Sequence, residues 1–382
     1  MGKSLDILII GPAHPYRGGI ATTNHELGLA LKAHGKEVKI LSFSKLYPKF
    51  LFPGKTQFET EQAPPKISIE RGLYAFHPWT WKTIRNTIKQ WHPKTVLFRY
   101  YTPFLAPCYT TLAKGLPSSI KCIGLVDNWT PHEQKPWDTF LNRRFGKQMD
   151  GFATLSQAVA DEIKSVFKTP LWAGFHPIAK TLPKPISKII ARKTLGWDQQ
   201  GTIVLFFGLI RKYKGLDLLL KAFTNSPLKE TKIQLAIVGE FYEPQQRYTD
   251  LIEQLKLQNR VILYPEFADN QRAKNVFCAA DAVAQTYRSA TQSGVTPLAY
   301  HYNTPLLVSD LPGLKAPIEA DHSGLVTPTD PKIIAKQLVT LLNKKQLETF
   351  QQNIKKATPN YQWEEFAKRL IAFFENQITP LK

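Results

Sequence analysis

Short apolar runs, each closed by a glycine or polar residue and followed by a helix-length stretch, recur down this chain in two sets. Leu5–Ile10 ends at Gly11, a helix with Leu27, Leu29 and Leu31 follows until Gly35, and Glu37–Phe43 is the next run. Val96–Tyr100, Ile120–Val126, Gly151–Leu155 and Pro170–Ala173 complete the first set. Between them, Trp79–Trp91, Thr139–Met149 and the stretch opened by Ser156 read as helices. After TLPKPISK, a linker punctuated by Pro183 and Pro185, the pattern restarts. The second set is Ile203–Phe207, Ile233–Val238, Val261–Leu263, Ala282–Gln285 and Leu306–Ser309. Runs that are apolar throughout are strands buried on both faces, and alternation with helices makes the sheet parallel. The pattern therefore predicts an α/β chain of two doubly wound domains, residues 1–180 and 181–358. A tail, 359–382, follows; its amphipathic stretch carries Trp363, Phe366, Leu370, Phe373 and Phe374 and packs back toward the first domain. Ligands of such sheets bind outside the carboxyl ends of the strands, so a cleft between the two domains is the expected site.

The formal charge of +20 favours anionic partners. Lys and Arg outnumber Asp and Glu by 24 to 12 in residues 1–180 and by 26 to 18 in 181–382, so the excess is spread through both halves. That dispersion, with no recognised binding motif, argues against nucleic acid. Cys108, Cys122 and Cys278 show no metal-ligand spacing and read as reduced, buried thiols. No apolar run reaches membrane-spanning length, so the chain reads as cytoplasmic, with peripheral attachment to the inner face of the membrane as the alternative. Residues 44–66 mix prolines, lysines and phenylalanines without a period. The segment reads equally as an ordinary surface loop and as a contact for an anionic membrane.

Four loops would carry chemistry. Residues 11–24 hold His14 and the pair Gly18-Gly19, which lets backbone approach a ligand; the spacing is not that of a dinucleotide fingerprint. Asp127–Glu133 gathers Asp127, Asn128 and His132 at the end of an apolar strand. His132 is either a hydrogen-bonding group for a sugar or base, or an incidental residue beside a helix cap. No second His or Cys stands at zinc spacing. In Phe206–Leu220, Gly208 breaks the strand, Arg211, Lys212 and Lys214 crowd the turn, and Gly215 opens a helix. Alone it reads equally as a basic surface turn and as a diphosphate site; beside the other loops it reads as the latter. Arg288–Thr296 is rich in small hydroxylated residues and leads into another helix start.

These residues resemble a family. Along nearly its whole length the chain is similar to the GT-B glycosyltransferases of glycosyltransferase family 4 (group 1), with a bacterial, Bacteroidetes-like subgroup nearest in phrase. RGGIATTNHELGLALKAHGKEV resembles the family's glycine loop, FFGLIRKYKGLDLLLKAF its donor-phosphate motif. IVGEFYE, VILYPEFADN and the stretch from Phe277 to Leu314 follow in the family's order. The resemblance implies two Rossmann-like domains facing a central cleft. It implies a retaining, metal-independent enzyme that moves a sugar from a UDP- or GDP-linked donor to a glycan or lipid-linked acceptor in cell-surface polysaccharide synthesis, with no further cofactor.

By the same resemblance, Arg211 and Lys214 hold the donor's phosphates, with His132 near the sugar. Gly18, Gly19, Gly208, Glu240, Phe267, Gln292, Ser293, Gly294, Val295 and Thr296 line the donor, Phe267 against the base. His14, Asp127 and Asn128 face the acceptor. One departure stands out. The family's two glutamates, eight positions apart, fall at Ala290 and Leu298 here, and neither these nor their neighbours are acidic. Gln292, Ser293 and Thr296 are the neutral candidates to replace them. A non-catalytic protein of the same fold that binds a nucleotide or glycan is the alternative.

Overall fold

The computed structural model describes all residues except 1–4, 17, 47–57, 59–66, 132–134 and 379–382. It divides into two compact units, residues 1–179 with 362–382, and residues 180–361. The first unit holds β1 (Ile7–Ile10), α1 (Gly19–Ala33), β2 (Val38–Lys45), β3 (Ser68–Tyr74), α2 (Pro78–Trp91), β4 (Thr95–Tyr100), α3 (Ala106–Lys114) and β5 (Lys121–Val126). It continues through α4 (Asp138–Gly146), β6 (Gly151–Thr154), α5 (Gln157–Lys164) and β7 (Leu171–Ala173). Its seven strands are all parallel, in the order β3-β2-β1-β4-β5-β6-β7.

The pleat decides which layer each strand residue serves, since successive side chains point to opposite faces. Leu8 and Ile10 of β1 join Val96, Phe98 and Tyr100 of β4 under α2, α3 and α4. Ile7 and Ile9 join Leu97 on the other face under α1. There they meet the helix formed by the C-terminal stretch, whose Trp363, Phe366, Leu370, Phe373 and Phe374 are buried in this same core. The indole of Trp363 also donates to the buried Glu26 of α1 at 2.7 Å. All three cysteines are buried and free.

The second unit runs α6 (Lys188–Leu195), β8 (Ile203–Phe207), α7 (Leu216–Ala222), β9 (Gln234–Val238), α8 (Gln246–Gln254), β10 (Val261–Tyr264), α9 (Asn270–Ala279) and β11 (Ala282–Gln285). After it come α10 (Val295–His301), β12 (Leu306–Ser309), α11 (Pro312–Asp321), β13 (Gly324–Thr327), α12 (Pro331–Leu341) and α13 (Lys344–Ala357). The C-terminal helix of the first unit is α14 (Trp363–Asn376). The six strands are parallel, in the order β10-β9-β8-β11-β12-β13. Val204 and Phe206 of β8 pack under α7 and α12, while Ile203 and Leu205 are fully buried on the opposite face.

Two strands escape the sequence reading. β3 is an edge strand whose polar residues, Ser68, Glu70 and Arg71, are exposed, so it lacks the apolar signature. β13 closes the other sheet in only four residues, and Gly324 is required because a Cβ there would strike the Leu306 carbonyl of its neighbour.

Candidate active site

In the second unit the strand order reverses between β8 and β11, which pair side by side while their connections run outward in opposite directions. Such a reversal leaves a crevice outside the carboxyl ends of the two strands. Two loops leave from it, residues 208–215 after β8 and residues 286–294 after β11. Gly208 turns the chain with φ +98°, a conformation that side chains disfavour, and Lys214 fills the space beside it. Lys214 is only 8% exposed. Its ammonium lies 5.4 Å from the centroid of the Tyr287 ring. Burial, with the charge of Arg211 adding to it, pulls its pKa down to about 8. Among the described residues no carboxylate pairs with it. Arg211 is exposed and lies 4.8 Å over the Tyr242 ring.

The second loop is locked onto the first. The Arg288 guanidinium grips both oxygens of Asp217 on α7, at 2.8 and 2.6 Å, and donates to the Lys212 carbonyl at 3.0 Å. The Arg288 amide donates to the Tyr213 carbonyl, and the Thr286 hydroxyl to that of Gly215. Gly215 has φ +66°, and a Cβ there would collide with the Thr286 carbonyl. Burial pushes the Asp217 carboxyl up, but Arg288 outweighs it and leaves the pKa below its ordinary value.

Val295 reaches this corner too, its Cγ2 3.9 Å from where a Gly208 Cβ would stand. Gly294 is the exposed residue that opens α10. The neighbouring hydroxyls are committed inside the protein. Ser293 accepts from the Val295 amide at 3.2 Å and bonds the Tyr287 hydroxyl. Thr296 is buried and accepts from the Gln285 amide at 3.1 Å. The loop rests on α11, where Gly313 leaves room for the Thr291 carbonyl. Gln292 is half-buried in it. Glu240 stands exposed after β9, with its carbonyl accepting from the Ile210 amide. Phe267 is 61% exposed after β10, two strands from β8. The structure thus gathers Gly208, Arg211, Lys214 and the 293–296 turn, with Glu240 one strand away and Phe267 at the sheet's outer edge.

The first unit reverses between β1 and β4. Gly18, at φ +119°, and Gly19 open α1; a Cβ on either would meet nothing within 4 Å, so both face open space. His14 is half-buried in the same loop. Asp127 follows β5 and is buried, its two oxygens each 2.6 Å from a nitrogen of Arg99. Its carboxylate is therefore committed to Arg99, not presented singly. Asn128, next to it, is half-buried, and His132 lies outside the described residues.

Residues that the sequence reading passed over surround this pair. Arg99, from β4, is 1% exposed and keeps a third nitrogen, Nη1, without a hydrogen bond among the described residues. Gly11 is wedged between Arg99 and Asn24: a Cβ on it would come within 2.8 Å of the Arg99 Cβ and 2.7 Å of the Asn24 amide nitrogen. Asn24 Oδ1 and His25 Nδ1, both on α1, are buried and also without a hydrogen bond among the described residues. Burial lowers the pKa of His25, helped by His14. Burial likewise lowers that of His176, against the pull of the Pro177 carbonyl and Asp127. The available signal was Arg99 itself, a lone cation inside the apolar run VLFRY, which demands a buried partner. Among the described residues no group of three or more His, Cys, Asp or Glu is placed to hold a metal ion.

Comparison with known proteins fits this geometry. Residues 187–361 match the family of glycosyl transferases group 1. That match covers both loops of the corner just described, residues 208–215 and 286–296. Curated relatives of this chain include an uncharacterized glycosyltransferase of Methanocaldococcus jannaschii, 25% identical over 58% of this chain and 59% of that one. A D-inositol 3-phosphate glycosyltransferase of Segniliparus rotundus is 30% identical over 37% of this chain and 32% of its own. The match thus spans about three-fifths of the first relative's length and about a third of the second's. Among solved structures, a sucrose-phosphate synthase of Thermosynechococcus elongatus superposes with TM-score 0.77 at 16% identity, over 97% of this chain and 98% of that one. The Anabaena protein HepE, in complex with UDP and glucose, gives 0.70 at 16% identity, over 98% and 100%. The fold is therefore that of GT-B glycosyltransferases, two Rossmann-like domains with parallel sheets.

Proposed function

We propose that the chain is a retaining, metal-independent glycosyltransferase of family 4 that moves a sugar from a UDP- or GDP-linked donor to a glycan or lipid-linked acceptor. The observation that carries this reading is Lys214, a buried ammonium with no carboxylate partner among the described residues, at the switch point of the second sheet. A buried unpaired cation is costly, and an anionic ligand removes that cost. In sugar transfer from a nucleotide donor, negative charge grows on the departing diphosphate as the glycosidic bond breaks. A fixed ammonium in a low-dielectric corner, backed by Arg211, stabilises that charge more than the ground state and so lowers the barrier. In this reading the cations do the work a metal does elsewhere. The Asp217–Arg288 clamp acts indirectly, by holding the two loops at fixed distance.

The family match over residues 187–361 supports the donor assignment. The HepE structure with UDP and glucose supports a nucleotide-sugar ligand. A similar structure, the lipopolysaccharide outer core galactosyltransferase WaaB, supports a role in cell-surface glycan assembly. The acceptor falls to the first unit, around His14, Asn128 and the Arg99–Asp127 pair, and an anionic membrane supplies it when it is lipid-linked. No helix among the described residues is long and apolar enough to cross a membrane. The test is transfer or donor hydrolysis by purified protein over a panel of nucleotide sugars. Turnover that survives both Arg211→Ala and Lys214→Met would refute the site. The absence of acids at Ala290 and Leu298 favours a second reading, a non-catalytic nucleotide- or glycan-binding protein. Calorimetric nucleotide binding with no turnover on any acceptor would select it.

A further inference from the structure

We propose that the start of α4 is a docking face for anionic lipid, with Trp137 and Phe140 entering the bilayer interface. The proposal deepens the membrane-partner reading above and does not depend on the donor chemistry. The core face of α4 is made by Asn142, Phe145 and Gly146, with Met149 just beyond, all buried. That leaves Trp137 57% exposed and Phe140 63% exposed, one helical turn apart on the opposite side. Large aromatics left this open on a helix have no use in the unit's own core. The charge of their own stretch of chain is one-sided. Residues 135–147 contain four cations, Lys135, Arg143, Arg144 and Lys147, all exposed, and a single acid, Asp138. Asp138 is buried and its carboxylate accepts from the Lys135 amide, so no acid of this stretch shows on the surface. Among the described residues none of the four cations has an acidic partner. Lys135 instead lies 5.7 Å from the Trp137 ring.

Aromatic side chains flanked by Lys and Arg are what an anionic bilayer surface selects, the rings at headgroup depth and the cations against phosphate. The topology adds a third aromatic on the same edge. α2, α3 and α4 follow the parallel strands β3, β4 and β5, so their first turns share the carboxyl edge of the sheet, and they lie in one layer. Trp79, in the first turn of α2, is 77% exposed. This is also the edge at which the β1/β4 switch point opens, so a bilayer against α4 would sit beside the loops assigned to the acceptor.

The experiment is co-sedimentation of the full chain with vesicles of phosphatidylcholine alone or mixed with phosphatidylglycerol, without any donor. The parent should bind the mixed vesicles and not the neutral ones. Trp137→Ser with Phe140→Ser should weaken binding at least about tenfold, and each of Arg143→Glu and Arg144→Glu by about fivefold or more. These positions are exposed, so the variants should melt with the parent. Trp137→Phe should keep binding while removing the Trp137 share of the quenching of tryptophan fluorescence by brominated lipid. Lys214→Met should bind vesicles like the parent, which separates this proposal from the donor assignment. Equal binding to both vesicle types, or an unchanged affinity in the double variant, overturns it. So does a parent dimer that the double variant breaks without any change in vesicle binding, which would make the occupant a second copy of the chain.

Discussion

The Lys214 ammonium occupies the space that a side chain on Gly208 would need: a Cβ built there comes within 3.0 Å of Nζ. The glycine and the lysine are therefore one device. Gly208, at φ +98°, turns the strand end away, and the lysine folds back under the turn to lie against Tyr287.

Gly208→Ala should show both halves of this arrangement. The positive φ costs an alanine about 1–2 kcal/mol of stability. The methyl group also displaces the ammonium from its position. Nucleoside diphosphate affinity by calorimetry should fall by about tenfold or more, the loss of one charge-assisted contact, while the protein still folds by circular dichroism. Unchanged affinity would mean that Lys214 reaches the phosphates from elsewhere.

Lys214→Met should stabilise the free protein and cripple it. The folded pKa, about 8, lies below the ordinary 10.5, so the native state holds the proton less tightly than the unfolded chain. The cost of burial is then fully present below pH 8, and it fades as pH rises toward 10.5. At neutral pH the methionine should gain up to about 3 kcal/mol in denaturant unfolding, the equivalent of that shift, and the gain should shrink above pH 8. Binding of a diphosphate follows the opposite course. It favours the charged lysine, so parental affinity should be greatest below pH 8 and fall as pH rises through it. In Lys214→Met that limb should be absent.

Asp217→Asn tests whether the loop lock matters. The Asp217 pKa is depressed, so the pair's contribution is present above the usual carboxylate range and is lost as pH falls through the folded value. Arg288 is 36% exposed, so screening limits its worth, and a cost of about 1–2 kcal/mol is expected at neutral pH. The difference between variant and parent should vanish in acid. Turnover should fall more than donor affinity does, because the clamp positions the loops and does not touch phosphate. Equal losses in both would place Asp217 on the ligand itself.

What could be read from the chain alone follows from the physics of each element. Strands buried on both faces announce themselves as apolar runs, and both sheets were legible for that reason, except at the edge strands β3 and β13. That two cations crowd the turn after β8 was legible because Arg211 and Lys214 lie in one short stretch next to the strand that positions them. The polar floor of the first unit was legible only at Asp127. Asn24, Arg99, Asp127 and His176 come from four separate segments, and only folding makes them neighbours. The inward turn of Ser293 and Thr296 was likewise hidden, since a hydroxyl's partner depends on packing and not on spacing.

The Arg99–Asp127 pair separates stability from function in one cycle. Either Arg99→Met or Asp127→Leu alone strands a buried charge and should cost about 3–5 kcal/mol. The double variant removes both charges and should recover most of that loss, because an apolar pair of similar volume avoids the desolvation altogether. Its activity should not recover. Among the described residues Arg99 Nη1 has no hydrogen bond, and it stands in the polar floor with Asn24 and His176, on the side of the unit proposed for the acceptor. The expected result is a stable double variant whose KM for acceptor is raised about tenfold or more, with donor hydrolysis near the parent's. A double variant that transfers sugar with the parent's KM would make the pair a structural strut and move the acceptor site elsewhere in the first unit.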